Sequence, residues 1–188
     1  MKKLYQTLED RGNPDEVQDC GPFRCRTDNA WLGEGYYFWE YFIELAHFWG
    51  QNCRYSNYII CEATANLNDN NCYDLVDNFN HIQDFKNIFQ LMTDEGLVNE
   101  KTTVRRIISF MQAKGLFQHS AIRVVGTNSI AGKEKNEQFT QRVRFDNKLP
   151  AFLDLIPPIQ ICILNIANVS LNDYSIVYPD IYVQGYVV

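Results

Sequence analysis

The chain has 188 residues, of which 46% are hydrophobic and 21% charged, a composition typical of a globular protein with its own core. Its formal net charge is −6, and its basic stretches at residues 105–106 and 141–144 are short, which argues against a dedicated nucleic-acid binder. No run of about 18 apolar residues and no secretory-type leader is visible, so we expect a cytoplasmic protein without a membrane partner.

Aromatic residues make up 14% of the chain, with 12 Phe, 11 Tyr and 3 Trp. Such side chains bury large areas in cores and also line pockets that stack planar groups, so most are expected in the core and a few in a cleft. The 6 cysteines are irregularly spaced, which predicts free and mostly buried thiols rather than disulfides. With 3 histidines and no CxxC pair, the sequence does not predict a zinc site.

The first third of the chain alternates between predicted strands and helices. In chain order the elements are a strand at residues 3–7, a helical turn at 14–19, a strand at 31–39, a helix at 40–50 and a strand at 55–67. Pro14 favours the start of the helical turn, and Gly50 is a natural end for the helix. Aromatic and β-branched residues between glycines or polar residues support the strands.

Two amphipathic helices are predicted in the middle of the chain. Asp77 or Asn78 can cap the first, and Thr102 or Thr103 can cap the second. Each helix has one apolar face and is followed by a glycine, and both faces are expected to pack on the core. We therefore expect a helical insertion at about residues 77–117 within one domain that covers residues 1–188.

The last third returns to predicted strands. They cover residues 121–126, 141–145, 159–166 and 174–178. The polar segment 127–138 predicts a surface loop. Strands, then two helices, then strands favour an α+β fold with mixed, mainly antiparallel β-sheets over a doubly wound parallel sheet.

Several segments follow a recognisable order. They are Leu-Tyr-Gln-Thr within residues 3–7, Asp-Arg at 10–11, Pro-Asp-Glu-Val at 14–17, the aromatic strand and helix of 35–50, and the strand of 55–65. This order resembles the NAD-binding half of the cholera- and diphtheria-toxin-like ADP-ribosyltransferases. The resemblance covers roughly residues 3–67, about a third of the chain, and is extended only by residues 159–162.

The resemblance implies a split cleft between mainly antiparallel sheets, with NAD bound as a substrate. In the family the first strand holds the nicotinamide amide, which implies Gln6 and Thr7. Two aromatic rings sandwich the nicotinamide, which implies Tyr37 together with Phe48 or its neighbour Trp49. The NAD-binding residues implied by the resemblance are Gln6, Thr7, Gly35, Tyr37, Phe48 and Trp49.

The catalytic residues implied by the resemblance are Gln160 and Tyr37. In the family a late-strand glutamate bonds the ribose and faces the positive charge that develops as nicotinamide leaves, and Gln160 aligns best with it. Glutamine can exchange hydrogen bonds with a ribose but has no charge. Loss of one such electrostatic contribution costs about 10²–10³ in rate. The family's first-strand arginine or histidine is also replaced, here by Gln6.

Three functional hypotheses follow. The first is a NAD-dependent mono-ADP-ribosyltransferase with a toxin or defence role, whose macromolecular acceptor is a protein rather than a nucleic acid. The second is a catalytically degenerate member of the fold that binds nucleotides or proteins. The third is a structural domain whose aromatic residues all belong to the core. A carboxylate near Tyr37 would favour the first, and an open cleft between the strands of Tyr37 and Gln160 would count against the third.

Overall fold

The computed structural model describes residues 1–28, 30–52, 57–126, 142–148 and 151–183. The helices are α1 (Pro14–Cys20), α2 (Ile43–Asn52), α3 (Phe79–Asp94) and α4 (Val104–Ala113). The strands are β1 (Lys2–Glu9), β2 (Tyr36–Glu40), β3 (Tyr58–Asn66), β4 (Cys72–Asp74), β5 (Ala121–Val125), β6 (Arg142–Arg144), β7 (Phe152–Asp154), β8 (Ile159–Ile163) and β9 (Ser170–Tyr178). Short 3₁₀ turns cover Ile166–Asn168 and Asp180–Tyr182.

Seven strands form one sheet in the order β4-β5-β8-β2-β1-β3-β9, and β6 pairs with β7 in a separate two-stranded sheet. β4 and β5 run parallel, and the other paired strands run antiparallel. The predicted α+β class with a mixed, mainly antiparallel sheet is therefore confirmed. Both middle helices also form, with Asn78 capping α3 and Thr103 capping α4. The loop predicted at residues 127–138 lies outside the described residues.

The prediction for α2 was wrong at both ends. Glu40 is the last residue of β2, where it pairs with Leu4, so the helix begins three residues later at Ile43. Gly50 lies inside the helix and does not end it. A Cβ atom at Gly50 would lie 2.4 Å from the ring of Tyr58, so the glycine allows α2 to approach β3 closely.

Three further differences concern strands. The strand predicted at residues 31–39 begins only at Tyr36, because the chain turns before it, with Gly33 at a φ of 97°. β4 and β7 were not predicted at all. Each has three residues, which is too short for an alternating pattern to be recognised.

The large sheet has a core on each face. On one face α2 packs on the centre of the sheet and α3 and α4 pack on β5 and β8. On the other face α1 packs near β3 and β9, and the chain before β9 covers the middle of the sheet. The side chains that are fully buried include Leu4, Phe38, Leu45, Ile59, Ile60, Tyr73, Met92, Ile108, Met111, Ile122, Ile161 and Ile163.

A buried ion cluster joins β2, β4 and β5. Arg123 is 4% exposed; its Nε donates to Glu40 Oε2 at 2.5 Å, and its Nη1 donates to Asp74 Oδ2 at 2.9 Å. The same Nη1 lies 2.6 Å from Asp77 Oδ2, and Lys2 Nζ lies 2.7 Å from Glu40 Oε1. These bonds offset the cost of removing the charges from water, which is several kcal/mol per ion when a charge is left alone.

Asp74 gives the cluster a defined pH dependence. Burial opposes the ionisation of this carboxyl, but the amides of Val76 and Asp77 and the guanidinium of Arg123 outweigh it and lower the pKa of Asp74. A carboxyl with a lowered folded-state pKa stabilises the fold fully above its unfolded pKa of about 4, and this contribution is lost as the pH falls through the folded pKa.

We expect Asp74→Asn to lower the free energy of unfolding at pH 7 and to flatten its decline below about pH 4. Urea unfolding at several pH values between about 7 and 2.5 measures both effects. Asp19→Asn is the control, because Asp19 is an exposed aspartate for which no ion pair is seen among the described residues. An Asp74→Asn curve parallel to that of the unmodified protein would contradict the prediction.

Candidate functional site

The central strands β1 and β2 pair with each other at one end only. Leu4 pairs with Glu40 and Tyr5 pairs with Trp39, and no further pair joins the two strands as described. β1 nevertheless continues to Glu9 along β3, and β2 extends back to Tyr36 along β8. The sheet is therefore split beyond the second pair, which leaves a gap between its two central strands.

A cavity of about 620 Å³ occupies this gap. Its volume is within the range of small-molecule sites. The residues that line it are Gln6, Thr7, Leu8, Arg11, Phe23, Arg24, Cys25, Arg26, Thr27, Ala30, Trp31, Tyr37, Trp39, Trp49 and Gln160. Five of the seven predicted site residues therefore come together, namely Gln6, Thr7, Tyr37, Trp49 and Gln160. The strands of Tyr37 and Gln160 pair with each other, so the cleft expected between these two strands was wrongly placed. The cavity between β1 and β2 nevertheless argues against the hypothesis that every aromatic residue belongs to the core.

Tryptophan rings form part of the cavity wall. Trp31 is 37% exposed and Trp49 is 39% exposed, so both present ring surface to solvent. Trp39 is buried, and its ring centroid lies 6.2 Å from that of Trp49 at an interplanar angle of 59°. Exposed aromatic surface beside a cavity is suited to contact with a planar ligand group.

Tyr37 lines the cavity with its ring while its hydroxyl is held by the preceding turn. The Leu32 amide donates to the hydroxyl at 3.0 Å, and the hydroxyl donates to the Gly33 carbonyl at 2.7 Å. Burial, together with the neighbouring Cys162, raises the pKa of Tyr37 well above its ordinary value. The phenol thus stays protonated and fixes the position of the turn.

Gln6 and Thr7 use their side chains to hold neighbouring segments. Gln6 is 3% exposed; its Nε2 donates to the Phe23 carbonyl at 2.8 Å, and its Oε1 accepts from the Phe23 amide and the Tyr174 hydroxyl, both at 2.9 Å. Thr7 Oγ1 donates to the Ala46 carbonyl of α2 at 2.9 Å. These bonds fix the segment after α1 and the helix α2 against β1.

Gln160 lines the cavity and carries an unsatisfied acceptor. It lies in β8 opposite Trp39 on one side and Val124 on the other, and it is 4% exposed. Among the described residues its Oε1 is buried without a hydrogen-bond partner. A buried polar atom without a partner lowers the stability of the fold by about 1–3 kcal/mol. A ligand that donates a hydrogen bond to this atom would therefore bind more tightly.

Phe48 and Gly35 are not among the residues that line the cavity. Phe48 is buried in the core cluster with Trp39 and Leu45, so Trp49 is the aromatic residue that α2 contributes to the cavity. Gly35 exchanges backbone hydrogen bonds of 2.8 and 3.1 Å with Cys25. A Cβ atom on Gly35 would lie 2.4 Å from the Sγ atom of Cys162, so this glycine sets a close backbone approach.

Three arginines of the cavity were not predicted as site residues, although Arg11 belongs to a segment that carries the family resemblance. Arg11 lies 2.7 Å from Glu9, and Arg24 lies 3.8 Å from Glu34. Arg26 has no ion pair among the described residues. They do not form a basic run, so the charge pattern of the sequence does not point to them. The alternation of Arg24 and Arg26 beside the aromatic Phe23 is the one local pattern that indicates a basic, aromatic surface here.

The cavity wall carries positive charge in a protein of net charge −6. Three arginines line it, and none of the described lining residues is an aspartate or a glutamate. Such a wall attracts an anionic ligand. The carboxylate that would favour a transferase is thus not found in the part of the wall that the structure describes.

Five of the cysteines lie among the described residues, and all five are free thiols. Cys61, Cys72 and Cys162 are buried free thiols, Cys20 and Cys25 are accessible free thiols, and Cys53 lies outside the described residues. Within the described ranges, no three His, Cys, Asp or Glu residues are grouped to hold a metal ion. None of the helices described is both long and apolar enough to cross a membrane.

Comparisons with protein-family models, curated proteins and solved structures gave no match for this chain.

Proposed function

We propose that the protein is ADP-ribosyltransferase-like and binds NAD in the cavity between β1 and β2. The observation that carries the proposal is that Gln160, whose Oε1 is buried without a partner, lines a cavity together with aromatic residues and arginines. This combination offers a contact for the nicotinamide, a ribose and the diphosphate of a dinucleotide. It also agrees with the family resemblance of the first third of the chain.

The nicotinamide, its ribose and the diphosphate of NAD each have a complementary group in the cavity. The exposed ring surface of Trp49 and the ring of Tyr37 suit the planar nicotinamide. The Oε1 atom of Gln160 suits a ribose hydroxyl, which would donate to it. The arginines suit the anionic diphosphate. In this arrangement Gln6 and Thr7 act mainly by holding the cavity wall in place. The Gln6 side chain already donates to the Phe23 carbonyl, and the Thr7 hydroxyl already donates to the Ala46 carbonyl.

Binding has more support than turnover. Transfer of ADP-ribose breaks the bond between nicotinamide and ribose while the acceptor's nucleophile bonds the same ribose carbon, and positive charge develops on the sugar. Gln160 can orient the ribose but cannot neutralise that charge. The absence of an acidic residue from the described cavity wall favours, as a second candidate, a catalytically degenerate NAD-binding module. An active transferase would modify a macromolecule, with a protein favoured as acceptor by the net charge of −6.

Calorimetric titration with NAD, alongside an assay for released nicotinamide, tests the proposal. We expect saturable NAD binding that Gln160→Met weakens by about tenfold, because the variant removes the amide while keeping side-chain length. Gln118→Met is the matched control, since Gln118 is exposed and does not line the cavity.

Three outcomes separate the hypotheses. Nicotinamide release that depends on Gln160 would support the transferase, and binding without release would support the degenerate module. Absence of NAD binding at millimolar concentration, or equal binding by the Gln160→Met variant, would contradict the proposed site.

A further inference from the structure

We propose that Arg24 and Arg26 form a diphosphate-binding subsite in the wall of the same cavity, for the diphosphate of a dinucleotide or a nucleoside diphosphate. The identification of that ligand as NAD rests on the proposed function, whereas the subsite itself rests on the arginines. Both side chains are exposed and line the cavity. Their guanidinium groups carry planar donors that match phosphate oxygens.

The backbone that carries these arginines is fixed on both sides of Arg24. Phe23 bonds the Gln6 side chain through both its amide and its carbonyl, at 2.9 and 2.8 Å. Cys25 bonds Gly35 through its amide at 2.8 Å and accepts from the Gly35 amide at 3.1 Å. The segment is therefore held at β1 through Gln6 and beside β2 through Gly35, so it is tied to both sides of the split sheet. A fixed backbone reduces the entropy lost when the arginines bind an anion.

The described residues neutralise the two arginines of the subsite only weakly. The distance from Arg24 Nη2 to Glu34 Oε2 is 3.8 Å, and both side chains are substantially exposed, so this pair contributes little. Arg26 has no ion pair with any described residue. Arg11 differs, because its Nε and Nη2 both contact Glu9, at 2.8 and 2.7 Å. Of the three arginines in the described cavity wall, Arg24 and Arg26 therefore keep the most donors available to a ligand.

The chemistry of the pair defines the ligand class. Two guanidinium groups separated by one residue can each bind one phosphate of a diphosphate, which carries at least two negative charges near neutral pH. The adjacent Trp31 adds ring surface for a base. A nucleoside without phosphate would lack the ionic contacts, so the subsite should select nucleoside diphosphates and dinucleotides over nucleosides.

The experiment is calorimetric titration of the protein and its Arg24→Gln/Arg26→Gln variant with NAD, ADP, inorganic pyrophosphate and adenosine at two salt concentrations. We expect the double substitution to weaken ADP and pyrophosphate binding by about tenfold or more and to reduce the salt dependence, because two charge-assisted contacts are lost. Arg106→Gln is the matched control, since Arg106 is exposed on α4 and does not line the cavity. Circular dichroism and thermal melting verify that each variant is folded.

The outcomes separate the subsite from the NAD proposal. If ADP and pyrophosphate bind through the two arginines but NAD does not, the subsite stands and the proposed function fails. If NAD binds equally well to the double variant, the proposed function stands and the subsite is overturned. ADP binding that is absent, equal in both proteins, or weakened as much by Arg106→Gln would also overturn the subsite.

Discussion

The Arg123→Met variant is expected to lose about 3–5 kcal/mol in its free energy of unfolding, because it removes the shared cation of the largely buried carboxylates of Glu40 and Asp74. Arg123 is the common partner of Glu40, Asp74 and Asp77. Methionine preserves apolar packing volume, so the loss reports on charge rather than on a cavity. Urea unfolding at neutral pH followed by circular dichroism measures the effect.

Two variants test the explanation. Arg106→Met removes an arginine from the exposed surface of α4 and should change the unfolding free energy by less than about 0.5 kcal/mol. The double variant Arg123→Met/Glu40→Gln should recover part of the lost stability, since it removes one of the buried charges. If Arg123→Met were as mild as the surface variant, the cluster would have no structural importance.

The second large effect is expected at Gly35. Gly35→Ala places a methyl group 2.4 Å from Cys162 Sγ and 2.9 Å from the Ile163 carbonyl, so the backbone must move. Overpacking of this kind costs about 1–3 kcal/mol. Because Gly35 also holds Cys25, the same substitution should weaken ligand binding in the cavity. Urea unfolding and calorimetric titration with ADP measure the two effects separately.

The double variant Gly35→Ala/Cys162→Ala provides the control. It removes the sulfur atom that the new methyl group would meet, so it should be more stable than expected from the sum of the two single variants. Strict additivity would show that contact with Cys162 is not the cause. A Gly35→Ala variant with unchanged unfolding free energy would contradict the close approach itself.

Elements of about seven residues or more were predictable wherever local signals agreed. α3 and α4 combine an apolar face with caps at Asn78 and Thr103, and both are found where the sequence predicts them. The boundary between β2 and α2 was not predictable, because Glu40 has no strand propensity of its own and is held by pairing with Leu4 and by bonds to Arg123. Long-range partners of this kind leave no trace in local periodicity.

The candidate site could be predicted only in part, because some of its residues are placed by local strand pattern and others only by tertiary packing. Tyr37 and Gln160 lie on neighbouring strands and follow from the resemblance and the strand pattern. Phe48 and Trp49 are adjacent in sequence, and only the packing of α2 decides which of them faces the cavity. Arg26 lies in a segment without regular structure, so no helical or strand periodicity predicts which way its side chain points.

Because β1 and β2 pair at one end only, the two halves of the sheet are joined on one side and separated on the other. The ion pairs of Glu40 with Lys2 and Arg123 strengthen the joined end, beside the Leu4–Glu40 pair. The cavity lies where β1 and β2 are separated. A molecule that contacts both Thr7 and Gln160 would link the two halves of the sheet, so its binding would stabilise the folded protein against unfolding.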